Sequence, residues 1–171
     1  ESLYCLGIGL YNLGRYQDSI DSFTRALQNR PQELDALIYR GMAFERSGRN
    51  KEALSDYDTV IARDPNSHEL YINRGSVLQQ LGRYENALAD LDHGLKHHPD
   101  HTVGWNNRGT TLDHLGRSEE AIESYDKVLQ IDPTNRMALT NRGITLSALG
   151  RLEDALVSYD EALTIEPEHL P

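Results

Sequence analysis

The sequence has one cysteine, Cys5, in 171 residues. A lone thiol excludes an internal disulfide but leaves the compartment open. No apolar run approaches the roughly 18 residues that a membrane span needs. No basic start leads into an apolar stretch, so nothing reads as a secretory signal. Positive charge is short: 17 Lys and Arg stand against 27 Asp and Glu, for a formal net charge of −10. That balance argues against nucleic acid, whose binders present a basic patch, and against anionic membranes. It fits a basic or neutral partner, and equally fits plain solubility. A cytoplasmic setting is favoured.

Recognisable catalytic chemistry is also missing. Gly7-x-Gly9 with Gly14 lacks the strand and the spacing of a dinucleotide loop. No glycine-rich loop is followed by a phosphate-binding lysine, and no His stands with Ser or Cys in a nucleophile motif. The acids are scattered as on solvated helix faces. The expectation is no enzyme and no cofactor. His93 and His97 lie four apart, where two imidazoles can share a metal, with His98 and His101 following. His97 and His98 are better read as closing a helix C-terminus, where cationic side chains are favoured. Pro99 then opens a loop, and no metal site is assigned.

What is present is a 34-residue period. Gly7, Gly41, Gly75, Gly109 and Gly143 form one row, and Gly14, Gly48, Gly82, Gly116 and Gly150 a second. Pro31, Pro65, Pro99, Pro133 and Pro167 form a third. Ten of 13 glycines and five of six prolines are in register, which excludes coincidence. The units are about 1–33, 34–67, 68–101, 102–135 and 136–169, read as one domain over 1–171. The chain opens at Glu1 inside a helical pattern and closes as a sixth unit would begin, with Glu168-His169-Leu170. It is therefore expected to be a piece of a longer protein.

Each unit reads as two antiparallel helices. In the fourth, the first helix stops at Gly116, a residue free to take positive φ. Ser118 is the expected N-cap of the second helix, with Glu119 and Glu120 at its positive end. Pro133 blocks continuation. The pairs expected are about 2–13 and 16–29, 34–47 and 51–63, 68–81 and 85–97, 102–115 and 118–131, and 136–149 and 152–165. The second helices carry apolar rows: Ile20-Phe23-Leu27, Leu54-Tyr57-Ile61, Leu88-Leu91-Leu95, Ile122-Tyr125-Leu129 and Leu156-Tyr159-Leu163. All are assigned to core. The Gly7 row lets the paired helix approach, offsetting a helix-interior glycine's cost of about 1 kcal/mol.

Trp105-x2-Arg108-Gly109, Leu112, Leu115-Gly116-Arg117, Ala121, Tyr125 and Asp132-Pro133 together resemble the tetratricopeptide repeat (TPR), along essentially the whole chain. The resemblance implies an all-α, right-handed superhelical solenoid of antiparallel helix pairs whose first helices line a concave groove. Its implied function is a protein–protein interaction scaffold binding a peptide or partner protein. Alternatives are a substrate-presenting or regulatory segment of a larger enzyme such as a glycosyltransferase, and self-association through uncapped solenoid ends. The resemblance, together with helical spacing, places on the groove stripe Glu1, Tyr4, Cys5, Ile8 and Asn12; Asp35, Ile38, Tyr39, Met42 and Arg46; and Glu69, Ile72, Asn73, Ser76 and Gln80. It continues with Val103, Asn106, Asn107, Thr110 and His114, then Met137, Thr140, Asn141, Ile144 and Ala148.

The row Asn73, Asn107 and Asn141 stands out, because Asn is a poor helix-interior residue and its amide both donates and accepts. A similar Asn ladder lines the TPR domain of O-linked N-acetylglucosamine transferase, which implies contact with a peptide backbone. A copied repeat template explains the row equally well. The first two units carry Cys5 and Tyr39 there, making the groove more apolar. Arg46 is the one cation on the stripe, too few for the chaperone-carboxylate clamp of some TPR domains. Arg40, Arg74, Arg108 and Arg142 form another row, eighteen residues before Asp58, Asp92, Asp126 and Asp160. The first unit has Leu6 and Thr24 instead, so the expected pair bridges the two helices within each unit.

Overall fold

The computed structural model describes residues 2–165. Among them are ten helices and no strand: α1 (Ser2–Asn12), α2 (Tyr16–Asn29), α3 (Leu34–Arg46), α4 (Asn50–Arg63), α5 (His68–Gln80), α6 (Tyr84–His97), α7 (Thr102–His114), α8 (Ser118–Ile131), α9 (Arg136–Ala148) and α10 (Leu152–Thr164). The all-α fold and every expected boundary hold, each end to within one residue. The chain forms two compact units, residues 1–83 with α1 to α5 and residues 84–171 with α6 to α10. Glu1, Pro167 and Glu168-His169-Leu170 lie outside the described residues.

The turn within each pair is fixed by its glycine. Gly116 takes φ 74°, and the next amide, of Arg117, donates back to the Leu112 carbonyl at 2.9 Å. The Gly116 amide reaches the Asp113 carbonyl at 3.0 Å. These bonds satisfy carbonyls that a helix end would leave unpaired. Ser118 is not the N-cap of α8. Arg117 holds that position without a side-chain cap, because a guanidinium only donates; it reaches forward to Glu120 at 2.6 Å. Side-chain caps occur instead on α7, where His101 Nδ1 accepts from the Gly104 amide, and on α9, where Asn135 accepts from Ala138.

In the first unit Ile20, Phe23, Leu27, Leu37, Phe44, Tyr57, Val60 and Ile61 share one core. In the second, Leu88, Leu112, Ala121 and Tyr125 pack together, and Ile122, Leu146 and Ala155 adjoin Tyr159. Gly7, Gly41, Gly109 and Gly143 sit where a second-helix ring presses on the first helix: a Cβ on Gly41 would lie 2.5 Å from the Tyr57 ring. One core assignment fails. Leu156 and Leu163 are 61% and 75% exposed. Their counterparts are covered by a following first helix, and no described helix follows α10.

The charge rows also pair differently from expectation. Arg74 meets Asp58 at 2.8 Å, Arg108 meets Asp92 at 2.6 Å and Arg142 Nε lies 2.7 Å from Asp126, although that N–H is not aimed at it. Each arginine therefore reaches back to the second helix of the preceding repeat. Its other bonds stay in its own repeat, as from Arg108 to Ser124 and from Arg142 to Ser158. Arg40, facing Thr24 rather than a carboxylate, turns to Asp56 at 2.7 Å.

Candidate functional site

The first-helix stripe is distinct in the two units. In residues 1–83, Tyr4, Ile8, Ile38, Tyr39 and Met42 are half-buried against the core. Tyr4 lies edge-on to Phe23 and to Tyr39, at 5.8 and 6.1 Å, and Tyr39 stacks on Phe23 at 5.9 Å. Arg46 is exposed and donates to Tyr16 Oη at 3.3 Å. Ile72 is buried and leaves the stripe, whereas Asn73 beside it is half-buried.

In residues 84–171, Asn106 departs from expectation: it is 4% exposed, and its Oδ1 has no hydrogen-bond partner among the described residues. One residue further round α7, Asn107 is half-buried, and Asn141 takes the same register on α9, which touches α7. Thr110 is half-buried and donates to the Asn106 and Asn107 carbonyls at 3.2 and 3.1 Å. His114 is exposed and stacks on Tyr84 at 4.5 Å. Val103, Met137 and Ile144 are exposed apolar members of the same stripe. On α6, His93 and His97 have ring centroids 5.4 Å apart.

Ser76 and Gln80 belong to a network that stripe reasoning did not find. Glu45 accepts from Ser76 Oγ at 2.9 Å, from Tyr57 Oη at 3.2 Å and from Gln80 Nε2 at 3.4 Å. The second unit repeats the motif: Asp113 accepts from Tyr125 Oη at 2.9 Å and Thr145 Oγ1 at 2.6 Å. The signal was present, since an acid stands twelve residues before each of these two tyrosines.

Burial pushes the Glu45 carboxyl above its ordinary range, against the lowering effect of the Ser76 and Tyr57 hydrogen bonds. A folded-state pKa above the unfolded one means that folding favours the protonated acid. That stabilisation is complete below the unfolded value, near 4.3 for glutamate, and is lost as pH rises through the folded value. Glu45→Gln is therefore expected to gain stability relative to the parent as pH rises from about 4 towards neutrality. Urea melts across that range measure it. A difference that stays flat, or moves the other way, would show that Glu45 ionises without penalty.

Models of the tetratricopeptide repeat match residues 4–68, 40–103, 103–135 and 137–169. A comparison with curated proteins finds no match. Among solved structures, a crystal structure of MamA is 21% identical, with 92% of each chain covered and a TM-score of 0.83. A MamA RS-1 double mutant is 17% identical over 95% of this chain and 92% of that one, with a TM-score of 0.88. A thermophilic TPR protein in Thermus thermophilus is 27% identical over 98% of this chain and 92% of its own, with a TM-score of 0.77. The MamA likeness speaks to the fold. Repeat models covering nearly every residue, on helix pairs closed by the same glycine turn, place the chain in the tetratricopeptide repeat family.

Proposed function

We propose that the chain is a non-catalytic interaction scaffold that binds an extended peptide, or an extended segment of a partner protein, on its first-helix face. Asn107 and Asn141 hold the peptide backbone. The observation that supports this most is their setting. They occupy one register on touching helices and are half-buried, and the exposed apolar side chains of Val103, Met137 and Ile144 share their stripe. An amide there donates to a peptide carbonyl and accepts from a peptide N–H whatever the peptide's sequence. The apolar neighbours supply contact area. The Asn141 side chain makes no hydrogen bond among the described residues, so its amide is available. Asn73 has the corresponding place in the other unit.

The partner reading rests on protein rather than nucleic acid or lipid. The net charge of −10 disfavours polyanions, and no described helix is long and apolar enough to cross a membrane. An affinity pull-down with the parent chain beside the Asn107→Ala, Asn141→Ala double variant tests the site. The expected result is a protein retained by the parent and lost by the variant, with helicity unchanged by circular dichroism. Each amide removed leaves a buried peptide group unpaired, at about 1–3 kcal/mol, so the loss should exceed tenfold. Equal retention by both would move the binding surface away from this stripe.

A further inference from the structure

We propose that His93 and His97 of α6 chelate a divalent metal ion of the zinc, nickel or copper class. This inference does not rest on the peptide-binding stripe, which lies on the first helices. The two histidines are four apart, so they project from one face of α6, one turn from each other. Their ring centroids are 5.4 Å apart, and each offers a ring nitrogen within 4.8 Å of the other's. A metal–nitrogen bond of about 2.0 Å, extended to the ring centre by about 1.2 Å, sets two chelating imidazoles about 5.2 Å apart at the tetrahedral angle. The rings therefore already have the separation of a chelating pair. Bringing their nitrogens to about 3.3 Å of each other on one ion takes rotation of the side chains and no movement of the helix.

Helix-end electrostatics account for only half of the pair. His97 is in the last turn of α6, beside Lys96, where a cation is favoured, but His93 stands a turn further in. Copying of a repeat template does not account for it either. The same registers hold Thr59 and Arg63 in the preceding repeat and Lys127 and Ile131 in the following one. Imidazole suits zinc, nickel and copper, whereas magnesium and calcium take oxygen ligands. The net charge of −10 favours cations near the chain. The two neighbouring histidines are placed differently: His98 lies beyond the end of α6, and His101 Nδ1 accepts from the Gly104 amide. Gly94 stands between the two ligands, and glycine is a poor helix residue. An ion bridging His93 and His97 would brace that last turn. The unfolded chain does not hold the pair in this register, so binding stabilises the folded state.

The test is isothermal titration calorimetry of the whole, untagged chain with zinc chloride, beside the variants His93→Gln, His97→Gln and His98→Gln. The expected result is saturable binding of a single ion per chain. His93→Gln and His97→Gln should each weaken it about tenfold or more, since one imidazole cannot chelate, while His98→Gln leaves it within about twofold. Zinc should also raise the urea midpoint of the parent and leave that of the His97→Gln chain where it is. Circular dichroism checks that each variant keeps its helices. No binding by the parent, or binding that either His93→Gln or His97→Gln retains, overturns the proposal. So does an equal loss in His98→Gln, which would place the ion on the loop after α6 instead of on its face.

Discussion

Gly109→Ala is expected to lower stability by up to about 2 kcal/mol, although alanine is the better helix former. The added methyl would enter the ring of Tyr125, which is fully buried. Yielding would disturb the packing around the ring and its hydroxyl's bond to Asp113 at 2.9 Å. Forcing a methyl into such a site costs about 1–3 kcal/mol, occasionally more. The helical gain from removing glycine returns about 1 kcal/mol of that. Gly9→Ala separates the two terms. Gly9 is also inside a helix, but a Cβ there meets nothing within 4 Å. That variant should be more stable than the parent by about 0.5–1 kcal/mol. Chemical denaturation of the two variants checks both signs. A Gly109→Ala protein as stable as Gly9→Ala would mean that the ring does not press on α7. Tyr125→Leu, the residue the third repeat carries at Leu91, should make the Gly109→Ala change milder.

The period made the helices legible, because each glycine and proline marks a place where the backbone has few alternatives. It left open which neighbour a side chain meets. In a 34-residue repeat, a row of Asp eighteen residues after a row of Arg is also a row sixteen residues before the next Arg. Sequence alone does not distinguish partners at the two offsets. The missing charges at Leu6 and Thr24 suggested pairing within a repeat. Packing decides for the preceding repeat, and Arg40, opposite Thr24, turns elsewhere. The same ambiguity of direction affected the stripe. Asn106 and Asn107 are adjacent in sequence but about 100° apart around the helix, enough to bury one and leave the other half-exposed. Leu156 and Leu163 fit the apolar pattern of their row, yet their burial depends on a helix that their own repeat does not supply.

The corrected pairing gives the second large effect. Arg108→Leu is expected to cost about 1–2 kcal/mol, with Asp92, not Asp126, as the coupled carboxylate. The arginine side chain is 18% exposed and the Asp92 side chain 51%, so the attraction is partly screened by water. Part of the loss comes from elsewhere: Arg108 also donates to Ser124 at 2.7 Å and lies over the Trp105 ring at 5.7 Å. A double-mutant cycle isolates the charge term. Arg108→Leu combined with Asp92→Leu should show coupling near 1 kcal/mol. The same arginine change combined with Asp126→Leu should be additive to within about 0.5 kcal/mol, because Asp126 serves Arg142 instead. Denaturant melts of the single and double variants give both couplings. If Asp126 coupled to Arg108 as strongly as Asp92 does, each repeat would close its charges on itself.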